Sequence, residues 1–78
     1  MWEFYISIRS FRQVQDFVTL ANAQPFDITV GNENQTINGK DLMGMFSLDY
    51  SQPLKVTVTC TEAEFQNFRQ KAARFLAK

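Results

Sequence analysis

The stretch "NGKDLMGMFSLDY", residues 38–50, decides the fold. Asn38-Gly39 is a turn signal because both residues tolerate positive φ, and Asp41 follows where a helix N-cap belongs. The pattern predicts a short helix over residues 42–48. A helix of two turns lying on a sheet buries about one stripe, and Met45 with Leu48 supplies it. That leaves Leu42, Met43 and Phe46 on an adjoining face, at positions i, i+1 and i+4. Three contiguous apolar side chains in the open suggest a partner surface, and methionine suits an adaptable one. The competing reading folds Leu42 and Phe46 under the loop of residues 49–53 as ordinary core. Gly44 costs the helix about 1 kcal/mol relative to alanine, which points to close approach of a partner or a neighbouring loop.

Working outward to the amino end, Trp2, Phe4, Ile6 and Ile8 alternate with Glu3, Tyr5, Ser7 and Arg9, as a half-buried strand requires. Ser10 with Gln13 three residues on reads as a capping box. Phe11, Val14, Phe17, Val18 and Ala21 recur at helical spacing up to the break at Pro25, which predicts a helix over residues 11–23. Phe26, Ile28 and Val30 mark a second strand, Gly31 to Asn34 a turn, and Gln35 to Ile37 a short third strand that closes a hairpin.

Towards the carboxyl end, Leu54, Val56, Val58 and Cys60 alternate with Lys55, Thr57 and Thr59 in a fourth strand. Cys60 is expected there as a buried, inert thiol. Thr61 and Glu64 form a second capping box, and Phe65, Phe68, Ala72, Phe75 and Leu76 stripe a terminal helix. Acids Glu62 and Glu64 at its start and bases Lys71, Arg74 and Lys78 near its end suit the helix dipole. The order is βαββαβα. Each strand keeps one polar face, so the fold class is α+β: a four-stranded antiparallel sheet with three helices on one face and water on the other.

A length of 78 residues suits one small domain spanning 1–78, with little room for a deep catalytic cleft, so no enzymatic activity is expected. Eight Lys/Arg balance eight Asp/Glu, which speaks against nucleic acid or an anionic membrane as partner. A lone cysteine forms no internal disulfide, no apolar run approaches the roughly 20 residues of a membrane span, and the start of the chain reads as a strand instead of a signal peptide. The expected location is cytoplasmic, and the Asn34-Gln35-Thr36 glycosylation pattern is then a chance match.

Residues 40–50, "KDLMGMFSLDY", resemble the lysine-serine-aliphatic-methionine-glycine helix and Ser-Leu-Gly turn of HPr, the histidine-containing phosphocarrier family of the bacterial sugar phosphotransferase system. Element order and length are similar over essentially the whole chain. The resemblance implies the family's open-faced β-sandwich. It also implies a phosphoacceptor histidine at the start of the first helix and an arginine two residues later, which fall on Ser10 and Arg12 here. This chain has no histidine, its loop ahead of Ser10 is shorter than the family's, and Gln13 replaces the family's proline. A serine phosphate is a stable monoester that does not pass its group down a relay, and no histidine is present to activate Ser10. Ser10 reads first as a helix cap and Arg12 as a solvated side chain, with an anion site at this helix start as the functional alternative. The family's regulatory serine falls on Asp41, either a plain N-cap or a fixed negative charge that partly imitates phosphoserine.

The resemblance places partner contacts on the short-helix face. The expected function is therefore that of a divergent phosphotransferase-system HPr-like protein without phosphohistidine, binding or regulating a protein partner through Leu42, Met43 and Phe46. The partner would be a phosphotransferase-system enzyme or a transcription regulator. The alternative is a phosphocarrier or kinase substrate labelled at another residue such as Ser10. No cofactor is called for. Gly39-Lys40 lacks the glycine and hydroxyl of a phosphate-binding loop, since Asn34 and Asp41 stand in their places. With one cysteine and no histidine, a metal site has no ligand set, and the open face of the sheet lacks the aromatics and bases of an RNA platform.

Overall fold

The structure, a computed structural model, describes residues 1–77. Its elements run β1 (Trp2–Ile6), α1 (Phe11–Asn22), β2 (Asp27–Gly31), β3 (Thr36–Asn38), α2 (Leu42–Phe46), β4 (Leu54–Thr59) and α3 (Glu62–Lys71), followed by a 3₁₀ turn over Ala73–Phe75. The strands lie in the order β1-β4-β2-β3, and every pairing is antiparallel. Phe4 faces Val56 and Ile28 faces Val58, so the alternating apolar residues share one face of the sheet. The opposite face carries Tyr5, Thr29, Lys55 and Thr57, which face water as the alternation requires.

The core fills the space between the apolar face and the helices. Phe68 of α3 is its centre: its ring lies 5.9 Å from Phe4 on β1, 6.3 Å from Phe17 on α1 and 5.8 Å from Phe26 at the entry to β2. Phe17 also meets Phe75 edge-on at 5.6 Å, and Trp2 stacks on Phe65 at 5.2 Å. Trp2 is half-buried, and its indole N–H donates to the Cys60 carbonyl at 3.1 Å.

Several expectations are corrected. The terminal helix ends at Lys71 instead of running through Leu76. After the 3₁₀ turn the chain joins the open edge of β1: Ser7 N–H donates to the Phe75 carbonyl at 2.7 Å and Ala77 N–H to the Tyr5 carbonyl at 3.0 Å. Backbone pairing on an otherwise bare strand edge outweighs one more helical turn, and it still buries Phe75. Lys78, assigned to that helix by its charge, lies outside the described residues. β4 stops at Thr59, so Cys60 is half-buried and not part of the core face. Burial and the nearby Glu64 carboxylate push its thiol up, which keeps it protonated at neutral pH.

The turn after β3 also differs from the expected form. No residue among those described has positive φ. The turn closes through Asp41 N–H to the Asn38 carbonyl at 3.0 Å and Lys40 N–H to Asn38 Oδ1 at 2.9 Å. Glycine is needed at 39 for space: a Cβ there would come within 2.9 Å of Ile28 Cγ2 and 3.1 Å of Val30 Cγ2, both on buried β2 side chains.

Two variants test this packing. Phe68→Ala is expected to destabilise the fold by about 3–5 kcal/mol, the usual cost of deleting a buried aromatic ring, read from urea unfolding. Gly39→Ala is expected to cost about 1–3 kcal/mol through overpacking. An unfolding midpoint as high as the wild type's in either variant would contradict this account of the core.

Candidate functional site

α1 starts where the sequence places it, and Ser10 caps it. Gln13 N–H donates to Ser10 Oγ at 3.3 Å. The reciprocal half of the box is shifted by one residue: Gln13 Oε1 accepts from Arg9 N–H at 2.6 Å, not from Ser10 N–H. Ser10 is more extended, at φ −154°, than Thr61 at φ −73°, where the complete box forms. Arg12 is exposed and makes no ion pair among the described residues.

Five residues form α2, not the seven expected. Ser47 Oγ donates to the Gly44 carbonyl at 2.6 Å, and Tyr50 Oη donates to the Met45 carbonyl. Those carbonyls are then satisfied without another helical turn, and Leu48 N–H closes back on Met45 in a tighter turn at 3.3 Å. At the other end Asp41 occupies the N-cap position with its backbone carbonyl accepting from Met45 N–H at 2.9 Å, yet its carboxylate makes no cap hydrogen bond. The carboxylate leans over Gly44 instead: a Cβ at 44 would lie 2.9 Å from Asp41 Oδ2 and 3.3 Å from Ile37 Cδ1. The close approach at Gly44 is thus local, by its own cap residue and β3.

Lys40 secures α2 to the end of α1. Its Nζ donates to the Gln24 carbonyl at 2.8 Å, and Asn22 Nδ2 donates to the Lys40 carbonyl at 3.0 Å. A cation at the carboxyl end of α1 also suits that helix's dipole.

Met45 and Leu48 are buried, and the neighbouring face is open: Met43 keeps 76% of its surface, Leu42 36% and Phe46 37%. A fourth side chain joins them. Phe11, expected in the core stripe of α1, keeps 75% of its surface and meets Phe46 edge-on at 5.7 Å. Phe11 is the first helical residue, and a helical Cα–Cβ bond tilts towards the amino end, so its ring projects beyond the sheet that Val14 and Phe17 cover. Its place directly after the cap is the sequence signal that could have set it apart from the stripe. The structure thereby joins the start of α1 and the face of α2 into one surface, with Ser10 and Arg12 at one side and Asp41 at the other end of α2. Among the described residues no cluster suited to a metal ion occurs, and no helix is long and apolar enough to cross a membrane.

An open-faced βαββαβα sandwich is the architecture shared with solved HPr structures. A family model described as "PTS HPr component phosphorylation site" matches residues 10–78, and the chain belongs to this HPr family. Among solved structures it is similar to HPr-C-His from Thermoanaerobacter tengcongensis, at 26% identity and a TM-score of 0.73, covering 90% of this chain and 89% of that one. It also has the fold of a phosphocarrier protein HPr from Bacillus anthracis str. Ames, at 21% identity and a TM-score of 0.70, covering 97% of this chain and 94% of the other. No match is found among curated proteins.

The Tyr50 clamp on α2 has a pH signature. Burial pushes the Tyr50 phenol up from 10.0 to about 12. A raised folded-state pKa means that the folded protein holds the proton longer, so this contribution is complete below pH 10 and is lost as pH rises towards 12. Tyr50→Phe is expected to cost about 1 kcal/mol at neutral pH and to flatten the fall in stability across that alkaline window. Urea unfolding of both proteins at a series of pH values checks this, and parallel curves would refute the burial-raised titration of Tyr50.

Proposed function

We propose that this HPr-family protein does not carry phosphohistidine and acts as a protein-binding or regulatory module, docking through Leu42, Met43 and Phe46 with Phe11 beside them. One observation carries the reading: an apolar surface stays uncovered across α1 and α2 in a chain that has no histidine. Met43 and Phe11 are the most exposed of its members, and an aromatic ring braced against a second ring loses little freedom on binding. The partner is a protein, either an enzyme of the phosphotransferase system or a transcription regulator. Ser10 serves as a cap, its oxygen engaged by Gln13 N–H.

Asp41 takes part as a fixed negative charge where the family's regulatory serine falls. Support comes from its carboxylate, which is exposed and bonds to no amide of the helix it precedes. Asp41→Asn should therefore leave the melting temperature nearly unchanged while altering partner affinity; a large loss of stability with unchanged affinity would return Asp41 to plain capping.

Titration calorimetry against the purified phosphoenolpyruvate-dependent enzyme of the system tests the surface. Phe11→Ser and the Met43→Ser/Phe46→Ser pair are each expected to weaken binding at least tenfold, or about 1.4 kcal/mol, with the melting transition retained. Incubation with the phosphorylated enzyme is expected to leave the intact mass unchanged. Equal binding by the variants, or addition of a phosphoryl group, would overturn the reading.

A further inference from the structure

The face of the sheet that turns away from the helices carries a trough of about 960 Å³, the size of a small-ligand cleft. Strand register lays out its floor. Tyr5 on β1 lies opposite Lys55 on β4, Lys55 opposite Gly31 on β2, and Gly31 opposite Thr36 on β3, so one row of the floor crosses the whole sheet. Gly31 has no room for a side chain, since a Cβ there would come within 2.6 Å of the Gln35 carbonyl oxygen. The turn after β2 thus folds close over the end of that strand and walls the trough with Asn32, Glu33 and Asn34, while Asp49, Gln52 and Pro53 of the loop ahead of β4 contribute a second wall.

The lining sets donors and acceptors of both kinds around one open ring. Tyr5 keeps 53% of its surface, and Thr29, Thr36 and Thr57 bring hydroxyls. Asn32 Oδ1 already accepts from the N–H groups of Asn34 and Gln35 at 2.8 and 3.0 Å, so its amide NH₂ is the end left to donate. Asp49 Oδ1 accepts from Ser51 N–H at 2.9 Å, and the Ser51 hydrogen bonds hold that carboxyl below its ordinary range, leaving it an acceptor at neutral pH. Lys55 is the one cation of the lining among the described residues, and Glu3 pairs with it at 3.7 Å. Glu33 and Asp49 make no ion pair among those residues, so the trough disfavours an anion.

We propose that this trough binds a neutral oligosaccharide of pyranose rings. Such a ring presents C–H groups on its faces, which suit the open Tyr5 ring, and hydroxyls at its edge that both donate and accept, as the amides, hydroxyls and carboxylates of the walls require. An organic cation only donates, so it leaves the amide and hydroxyl donors unmet. A peptide strand adds along a sheet edge, whereas this trough lies across the face. The site is on the far side of the sheet from the docking surface of Phe11 and Phe46 and stands or falls separately.

The test is a ¹H–¹⁵N NMR titration with maltotriose and, separately, cellotriose, with spermidine at constant ionic strength as the cation arm and Tyr5→Thr as the variant. The Tyr5 ring is exposed and threonine keeps the strand propensity, so the variant is expected to fold, and its spectrum reports this directly. Saturating shifts at Tyr5, Thr29, Thr57 and the Asn32 side-chain amide are expected with at least one trisaccharide, with binding weakened about fivefold in Tyr5→Thr and spermidine binding weaker than the sugar. Failure of both trisaccharides to saturate, shifts centred on the helices, or an unchanged affinity in Tyr5→Thr would each overturn the site. Spermidine binding as tight as either sugar would overturn the ligand class.

Discussion

The Phe68 ring is the contact on which the rest of the structure depends. It is fully buried and touches aromatic rings from β1, α1 and the entry to β2. A four-stranded sheet with one apolar face has to be covered, and two helices crossing it need a common filler where they meet. Large rings with edge-to-face geometry do this at low entropic cost, since each brings only two side-chain torsions. Once α3 is seated by Phe68, its capping box at Thr61 and the 3₁₀ turn after Lys71 set the direction of the chain, which then runs out along the edge of β1.

Seating α1 in this way has a consequence at its other end. With Val14, Phe17 and Val18 turned to the sheet, the first turn of α1 overhangs it, and Phe11 is left without a core to enter. Lys40 and Asn22 tie the chain ahead of α2 to the carboxyl end of α1, while Tyr50 and Ser47 hold the far end of α2. The short helix contributes little stability of its own at this length and depends on these polar clamps and on buried Met45 for its place. Its position beside α1 is what lets Phe11 meet Phe46. The apolar surface is thus a product of two separate anchorings, one apolar and one polar.

Much of the fold was legible because the alternation in β1, β2 and β4 and the stripe of α1 are governed by burial on one face, a local and periodic demand. The caps at Ser10 and Thr61 were legible because their partners lie three residues away. The errors share a physical origin. Ending α3 at Lys71 depends on the bare edge of β1, some seventy residues earlier in the chain. Gly39 is required by methyl groups of Ile28 and Val30, which no local turn rule contains. Asp41 had the composition of a capping residue, but its carboxylate settles over a glycine that offers it room.

For the candidate surface, helical spacing alone separated buried Met45 and Leu48 from Leu42, Met43 and Phe46, because a helix on a sheet can turn only one side inward. The absence of histidine, and with it the contrast with the family's phosphoacceptor, is likewise a property of the sequence. The meeting of Phe11 with Phe46 and the trough beside Tyr5 belong to the tertiary structure. They join residues distant in the chain, and their spacing is set by how α1 packs on the sheet and how the strands pair, a long-range geometry that side-chain periodicity does not encode.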